Sequence, residues 1–291
     1  MTSMTNGMHE YKKRSMLPEI WRRFKKNKRA VLGLVILICL VLVAVFANLL
    51  PYDPYAMAPT ERLQTSSLKH WMGTDEFGRD ILTRVCYGAR LSIAIAFIAT
   101  AFACVSGTLL GAVAGFYGGK LESVIMRVMD VLLAIPNMLL AIVVAAVLGA
   151  GAVNMMLAVA ISNMPHYVRL MRSSVLSVQG QEYIEASRSV GASDWHIIKS
   201  HIIPNCLAPL IVQVTTRVGA AILICSSLSF IGVGISPPTA EWGAMLSKGK
   251  EFLREFPHLT LWPGLAIMVT AFALNMLGDG LRDALDPKMK T

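Results

Sequence analysis

An all-α, polytopic membrane fold is what this sequence predicts, and three observations carry the prediction. Of 291 residues, 55% are hydrophobic and only 15% charged, a balance outside the soluble globular range. The apolar residues gather into runs close to the ~20 residues that a hydrocarbon core of about 30 Å requires. The basic residues are unevenly placed: nine of the 27 lie between Lys12 and Arg29, directly ahead of the first run.

Along the chain, residues 1–16 are polar and expected to be disordered. Leu17, Ile20, Trp21 and Phe24 then repeat at helical spacing, with Arg22, Arg23, Lys25 and Lys26 on the other face. This predicts an interfacial helix whose basic side meets anionic lipid headgroups. Residues 1–29 thus read as a cytoplasmic tail. Ala30–Leu50 is the first span, 21 residues without a charge. A cleaved signal peptide is the competing reading, but signal cores run to about 7–15 residues, and no small-x-small site precedes Pro51.

Residues 51–90 form an extracytoplasmic segment and residues 91–291 a membrane core. Five further spans are predicted: Leu91–Phe116, Val131–Leu148, Met155–Val168, Leu207–Ile231 and Leu259–Leu277. Pro136 is expected to kink the third. Asn163, Pro165 and His166 interrupt the fourth. In the second, Ala99, Ala103, Gly107, Gly111 and Gly115 recur every four residues, a stripe that lets another helix, of this chain or of a partner subunit, approach closely. Six alternating crossings put 18 Lys and Arg inside and eight outside, with Arg217 within the fifth span. That matches the positive-inside rule with both termini cytoplasmic.

The basic excess therefore signals membrane orientation and not nucleic acid. The five cysteines form no CxxC, so neither zinc nor a disulfide framework is indicated, and the 17 methionines read as flexible apolar fillers. Gly118-Gly119-Lys120-Leu121 lacks the upstream glycine and the hydroxyl of a phosphate loop. With no HExxH, GxSxG or paired carboxylates at catalytic spacing, the chain reads as no enzyme, with no catalytic residue, cofactor or metal of its own.

Three sets of polar residues remain. In HWMGTDEFGRDILTRVCYGAR, Gly73 and Gly78 bracket a turn, and Asp80, Arg84 and Tyr87 share the face of a following short helix. Asp75, Arg79, Asp80 and Arg84 are then either an outer cap held by local ion pairs or a gate or dock for an external partner. Asp130, three residues after Arg127, fits a local ion pair or a cargo path. Arg217, about ten residues into its span, either lines a path or reaches the boundary by extending its side chain.

The third set is the polar stretch 181–204, QEYIEASRSVGASDWHIIKSHIIP. Tyr183, Ile184 and Ala186 give a first short helix an apolar patch, Gly191 allows a reversal, and Ser193 and Asp194 can cap a second helix. Trp195, Ile198 and Ile202 fall on one face, and Pro204 ends the pair. Such a pair suits insertion into a groove on another protein or an amphipathic loop on the membrane surface; composition leaves both open.

The segment resembles the cytoplasmic loop of ABC importer permeases, whose pattern is Glu-Ala-Ala, three residues, Gly, nine residues, Ile-x-Leu-Pro. Here Glu185-Ala186-Ser187, Gly191 and His201-Ile202-Ile203-Pro204 keep every interval. The resemblance extends through PHYVRLMRSSVL, IIPNCLAPLIV, LSFIGVGISPPTAEWGAML and WPGLAIMVTAFALNMLGDGLRDALDPK. Together these look like the C-type permease subunit of dipeptide and oligopeptide importers, with nickel importers close relatives. The likeness implies six helices of the type I ABC importer permease fold in a bacterial inner membrane. It implies coupling to ATPase subunits through Glu182, Glu185, Ala186, Gly191, Asp194 and Pro204. The implied partners are a homologous B-type permease, two ATP-binding subunits that use ATP and Mg, and an extracytoplasmic substrate-binding protein. Arg217 and Cys225 depart from the family's pattern. A secondary transporter would need several buried acids or broken helices, and the sequence offers only Asp130 near one edge. A purely structural membrane subunit leaves the outer motif and the 181–204 loop unexplained.

Overall fold

The structure, a computed structural model, describes Met16–Leu285; the polar tail of residues 1–15 and residues 286–291 lie outside it. Among the described residues no β-strand forms beyond one bridge between Thr74 and Asp80. The helices are α1 (Met16–Lys26), α2 (Lys28–Phe46), α3 (Ile81–Tyr117), α4 (Gly119–Ala134), α5 (Asn137–Leu148) and α6 (Ala152–Val178). They are followed by α7 (Glu182–Ser189), α8 (Asp194–Ile197), α9 (Ile203–Asn205), α10 (Leu207–Phe230), α11 (Trp242–Gly249) and α12 (His258–Leu285).

Glycines fix how these helices lie together. A Cβ at Gly107 would stand 2.5 Å from that of Tyr167, one at Gly111 2.5 Å from the Val168 carbonyl, and one at Gly115 2.8 Å from the Val175 Cβ. Both numbers climb together, so α3 and α6 run parallel, backbone nearly on backbone. The close partner of the small-residue stripe is therefore α6 of this chain rather than a helix of another subunit. Gly33 meets Ala273 and Met276 while Gly280 meets Ala30, so α2 and α12 run antiparallel; Gly219 against Asn275 and Gly278 against Thr216 do the same for α10 and α12. Because α3 and α6 point the same way, α4 and α5 must carry the chain back between them.

That return is broken, not merely kinked. Proline drives its predecessor out of helical geometry, and Ile135 (φ −91°, ψ 130°) and Pro136 (φ −51°, ψ 131°) are both extended. The two helices meet at 97°. Four helices are long and apolar enough to cross a membrane: α2 with its short continuation to Leu49, α3, α10 and α12. The α4–α5 pair makes a fifth crossing if counted as one span. The remaining expected span, the fourth in chain order, lies in α6, whose 27 residues suffice in length. Asn163, His166, Arg169 and Arg172 keep it from qualifying by apolarity; packed against α3, α5 and α10, it exposes less of itself to lipid.

Two further expectations change. The short helix after Gly78 is continuous with the second span, giving α3 its 37 residues. The interfacial helix α1 is also a buttress. Phe24, 2% exposed, packs with Ala30 and Ala284 against the end of α12, leaving Trp21 at the surface. Asn27 caps α2 by accepting from Arg29 N and Ala30 N, and its amide donates to Asp283 at 3.1 Å.

Gly111→Val forces a branched side chain into the α3–α6 contact. Overpacking of this kind costs about 1–3 kcal/mol or more. The variant is expected to melt several degrees lower than wild type in detergent, whereas Val105→Leu, on a lipid-exposed position of α3, is expected to match wild type.

Candidate functional site

Below α6 the chain turns through an elbow. α7 ends at Gly191, whose φ of +82° an L side chain rarely adopts; its N–H donates to the Arg188 carbonyl at 3.0 Å, and Ala192 N–H to the Ser187 carbonyl at 3.1 Å. Ser193 caps α8, its hydroxyl accepting from His196 N. Ile198–Ile202 then widens into a π-turn, an irregularity frequent at functional sites.

The elbow has a keel and an open side. Ile184, Ile197, Ile198 and Ile202 are buried together with Phe116, Met171, Val175 and Leu210, so the keel stands on the C-terminal ends of α3 and α6 and the N-terminal end of α10. The Arg188 guanidinium covers the Phe116 ring at 5.0 Å, and Gln179 donates to the Phe116 carbonyl at 3.1 Å. Glu182, Glu185, Ala186, Gly191, Asp194 and Pro204 are all exposed. Around them lie Tyr183, Val190 at 83% exposure and Trp195 at 58%. Two expectations are corrected. Trp195 faces out, and Ile197 takes the buried place beside Ile198 and Ile202. Ala186 likewise lies on the open side rather than in the buried patch.

Outside the bundle, residues 51–80 fold into a cap. The Asp75 carboxylate accepts from Phe77 N, Arg79 N and, at 2.6 Å, Arg79 Nε, with Arg84 Nε at 3.4 Å. Arg84 also donates to the Pro54 carbonyl at 2.7 Å and the Pro238 carbonyl at 3.2 Å, tying the cap to the α10–α11 loop. Asp80 is not on the helix face but is its N-cap, accepting from Thr83 N at 2.8 Å; its other oxygen meets His70 Nδ1 at 2.9 Å. His70 Nε2 reaches Glu61 at 3.2 Å. Hydrogen bonds from Lys69 and then His70 hold the Glu61 carboxyl below its ordinary range. Asp75, Arg79, Asp80 and Arg84 are each at most 6% exposed. Their side chains shape the cap from within, and an external partner would meet its outer residues, Leu68 and Trp71 among them.

A hub absent from the sequence reading joins this end of the bundle. Glu241, wholly buried, accepts from Ser92 Oγ of α3 and from Gly243 N and Ala244 N, capping α11. Burial pushes its carboxyl above the usual range against those donors. Trp242 donates from Nε1 to the Val85 carbonyl at 2.9 Å and presses on Gly88. A buried acid beside tryptophan, inside a stretch without other charge, was the available signal.

Within the bundle, polar groups collect near the α4–α5 break. Asn137 donates to Asn163 at 3.2 Å. Asp130 pairs with Arg169 of α6 at 2.5 Å, across helices, and not with Arg127 as its spacing suggested. Arg217 is half-buried and takes part in none of the ion pairs among the described residues.

Residues 107–291 match the binding-protein-dependent transport system inner membrane component, and residues 15–65 match the N-terminal transmembrane domain of oligopeptide transport permease C. This chain belongs to that family of inner-membrane transport components. It is an ABC importer permease, the membrane part of a system whose ATP hydrolysis resides in other subunits. A dipeptide transport system permease protein of Alkalihalophilus pseudofirmus is 47% identical over 274 residues, covering 94% of this chain and 90% of that one. A di/tripeptide permease protein of Pseudomonas aeruginosa is 41% identical over 283 residues, 95% and 93% of the two chains. A glutathione transport system permease protein of Escherichia coli is 46% identical over 274 residues, 94% and 90%. In fold the permease resembles an inward-facing methionine ABC transporter, with a TM-score of 0.56 at 15% identity, covering 70% of this chain and 96% of that one.

The cap generates a pH test. Burial lifts the Glu76 carboxyl above its ordinary range, and its Oε1 has no hydrogen-bond partner. A raised acid stabilises the fold while protonated, and that contribution is lost as pH rises through its folded-state value. Glu76→Gln is therefore expected to slow limited proteolysis of the cap at pH 8 and to change it little at pH 4. Asp75→Asn, which weakens a buried pair, is expected to speed cleavage at both.

Proposed function

We propose that this permease is the C-type subunit of an ATP-driven importer of dipeptides or oligopeptides, forming half of the path across the inner membrane. The observation that carries the reading is the elbow at 182–204. Its apolar keel is seated on α3, α6 and α10, while Glu185, Gly191 and the surface around them stay open for another protein.

On this reading Glu182, Glu185, Ala186, Gly191, Asp194 and Pro204 meet an ATP-binding subunit, two of which use ATP and Mg. A homologous B-type permease completes the path. Closure of the ATPases pushes a rigid elbow, and the helices standing on it tilt between inward- and outward-open states. Both termini lie in the cytoplasm, with the cap of residues 51–80 outside, where a substrate-binding protein would dock. Asp75, Arg79, Asp80 and Arg84 serve that docking by holding the cap's shape. Asp130 and Arg217 are the candidate path residues. The peptide names of the relatives support peptide cargo over the nickel or metal-chelate alternative.

Gly191→Val strains the reversal, and Glu185→Lys inverts the charge on the open side. Both variants are expected to reach the membrane in wild-type amounts and to lose uptake of labelled dipeptide by at least tenfold, with the ATPase subunits no longer co-purifying. Normal uptake by both would overturn the assigned role.

A further inference from the structure

Arg217 is the eleventh residue of α10, about 15 Å along its axis at 1.5 Å per residue. Charge at that depth is expensive unless it faces a bundle interior or water. Half-buried, it is neither sealed in the core nor fully open to surroundings. It takes part in none of the ion pairs among the described residues, and Asp130, the acid of α4, is paired with Arg169. Gln213 and Thr216, also incompletely buried, lie beside it on α10. Both line a cavity of about 790 Å³ that opens between α1, α6, α10 and α12, which Arg217 itself does not line.

The surroundings of Arg217 are unsuited to a resident cation's partner but suited to a visiting anion's. It lies within electrostatic reach of His166 and Tyr167 of α6. The Tyr167 hydroxyl is buried and has no hydrogen-bond partner. The extended Ile135–Pro136 break, at the N-terminus of the 12-residue α5, meets α6 through the Asn137–Asn163 hydrogen bond, one turn before Tyr167, and interrupted membrane helices turn such ends toward anionic substrate groups. A guanidinium without a carboxylate offers two parallel donors to one. A peptide carries a carboxylate at its C-terminus.

Resting on the peptide-importer reading, we infer that Arg217 is a specificity-determining residue that receives the cargo's free carboxylate midway through the path. A carboxylate from the partner permease is the rival occupant, and the experiment separates the two.

The whole importer, with its binding protein, is reconstituted in proteoliposomes carrying wild-type, Arg217→Gln or Arg217→Lys chains. Uptake is measured for a dipeptide and for its C-terminal amide, each first shown to be captured by the binding protein. Arg217→Gln is expected to slow uptake of the acid at least tenfold and of the amide less than twofold, with assembly unchanged; Arg217→Lys is expected to fall between. Equal loss for both peptides, no loss, or failure of Arg217→Gln to co-purify with the partner permease overturns the inference. Arg217→Cys, in a chain whose five native cysteines are replaced by serine, supplies an independent readout. A charged methanethiosulfonate reagent is expected to label it, and cargo to protect it. Absence of labelling rejects a water-exposed path position. Should wild type move neither peptide, it is the peptide-importer reading that fails.

Discussion

Close contact between α3 and α6 is the interaction on which the rest of the structure depends. Membrane helices gain little from exchanging lipid for each other's apolar side chains, so their association rests on packing. Here that packing is supplied by glycines at 107, 111 and 115, each pressed against a backbone or Cβ of α6. The consequence reaches both ends of the bundle. At one end the pair ends in Phe116, Met171 and Val175, which seat the elbow. At the other, Ser92 and Gly88 of α3 meet Glu241 and Trp242. A displacement of the elbow thus acts on two helices locked in register, which is what a lever needs.

Polar groups are distributed by the same economy. The strong ion pairs of the outer cap are buried within protein at the membrane's edge, where Asp75, Arg79 and Arg84 satisfy one another and nearby carbonyls. Inside the bundle, Asn137 and Asn163 meet at the Ile135–Pro136 break, and Asp130 pairs with Arg169 across helices. Arg217 is a deep charge that takes part in none of the ion pairs among the described residues.

Much of the molecule was legible in the sequence because its signals are local. Lys28–Leu49, Leu207–Phe230 and the elbow's reversal at Gly191 follow from runs, spacing and one positive φ. What was misread involved choosing among partners. Asp130 had Arg127 at helical spacing, yet Arg169 is the residue it meets. The small-residue stripe announced a close neighbour without naming it. Trp195 fitted an apolar face at regular spacing, yet Ile197 is the residue buried beside Ile198 and Ile202. Pro136 announced a disturbance whose size, 97°, depended on what the two halves packed against.

The sequence by itself determined that the chain enters a membrane repeatedly, how unevenly its basic residues are placed, and where an elbow interrupts the apolar runs. Those properties depend on transfer energies and backbone conformations that each segment carries alone. Only the tertiary structure decided that α3 and α6 run parallel, that the cap's four charged residues face inward, and that Glu241 joins α3 to α11. Such choices depend on which surfaces come within a few ångströms after folding, and identical side chains can satisfy several arrangements until that packing selects one.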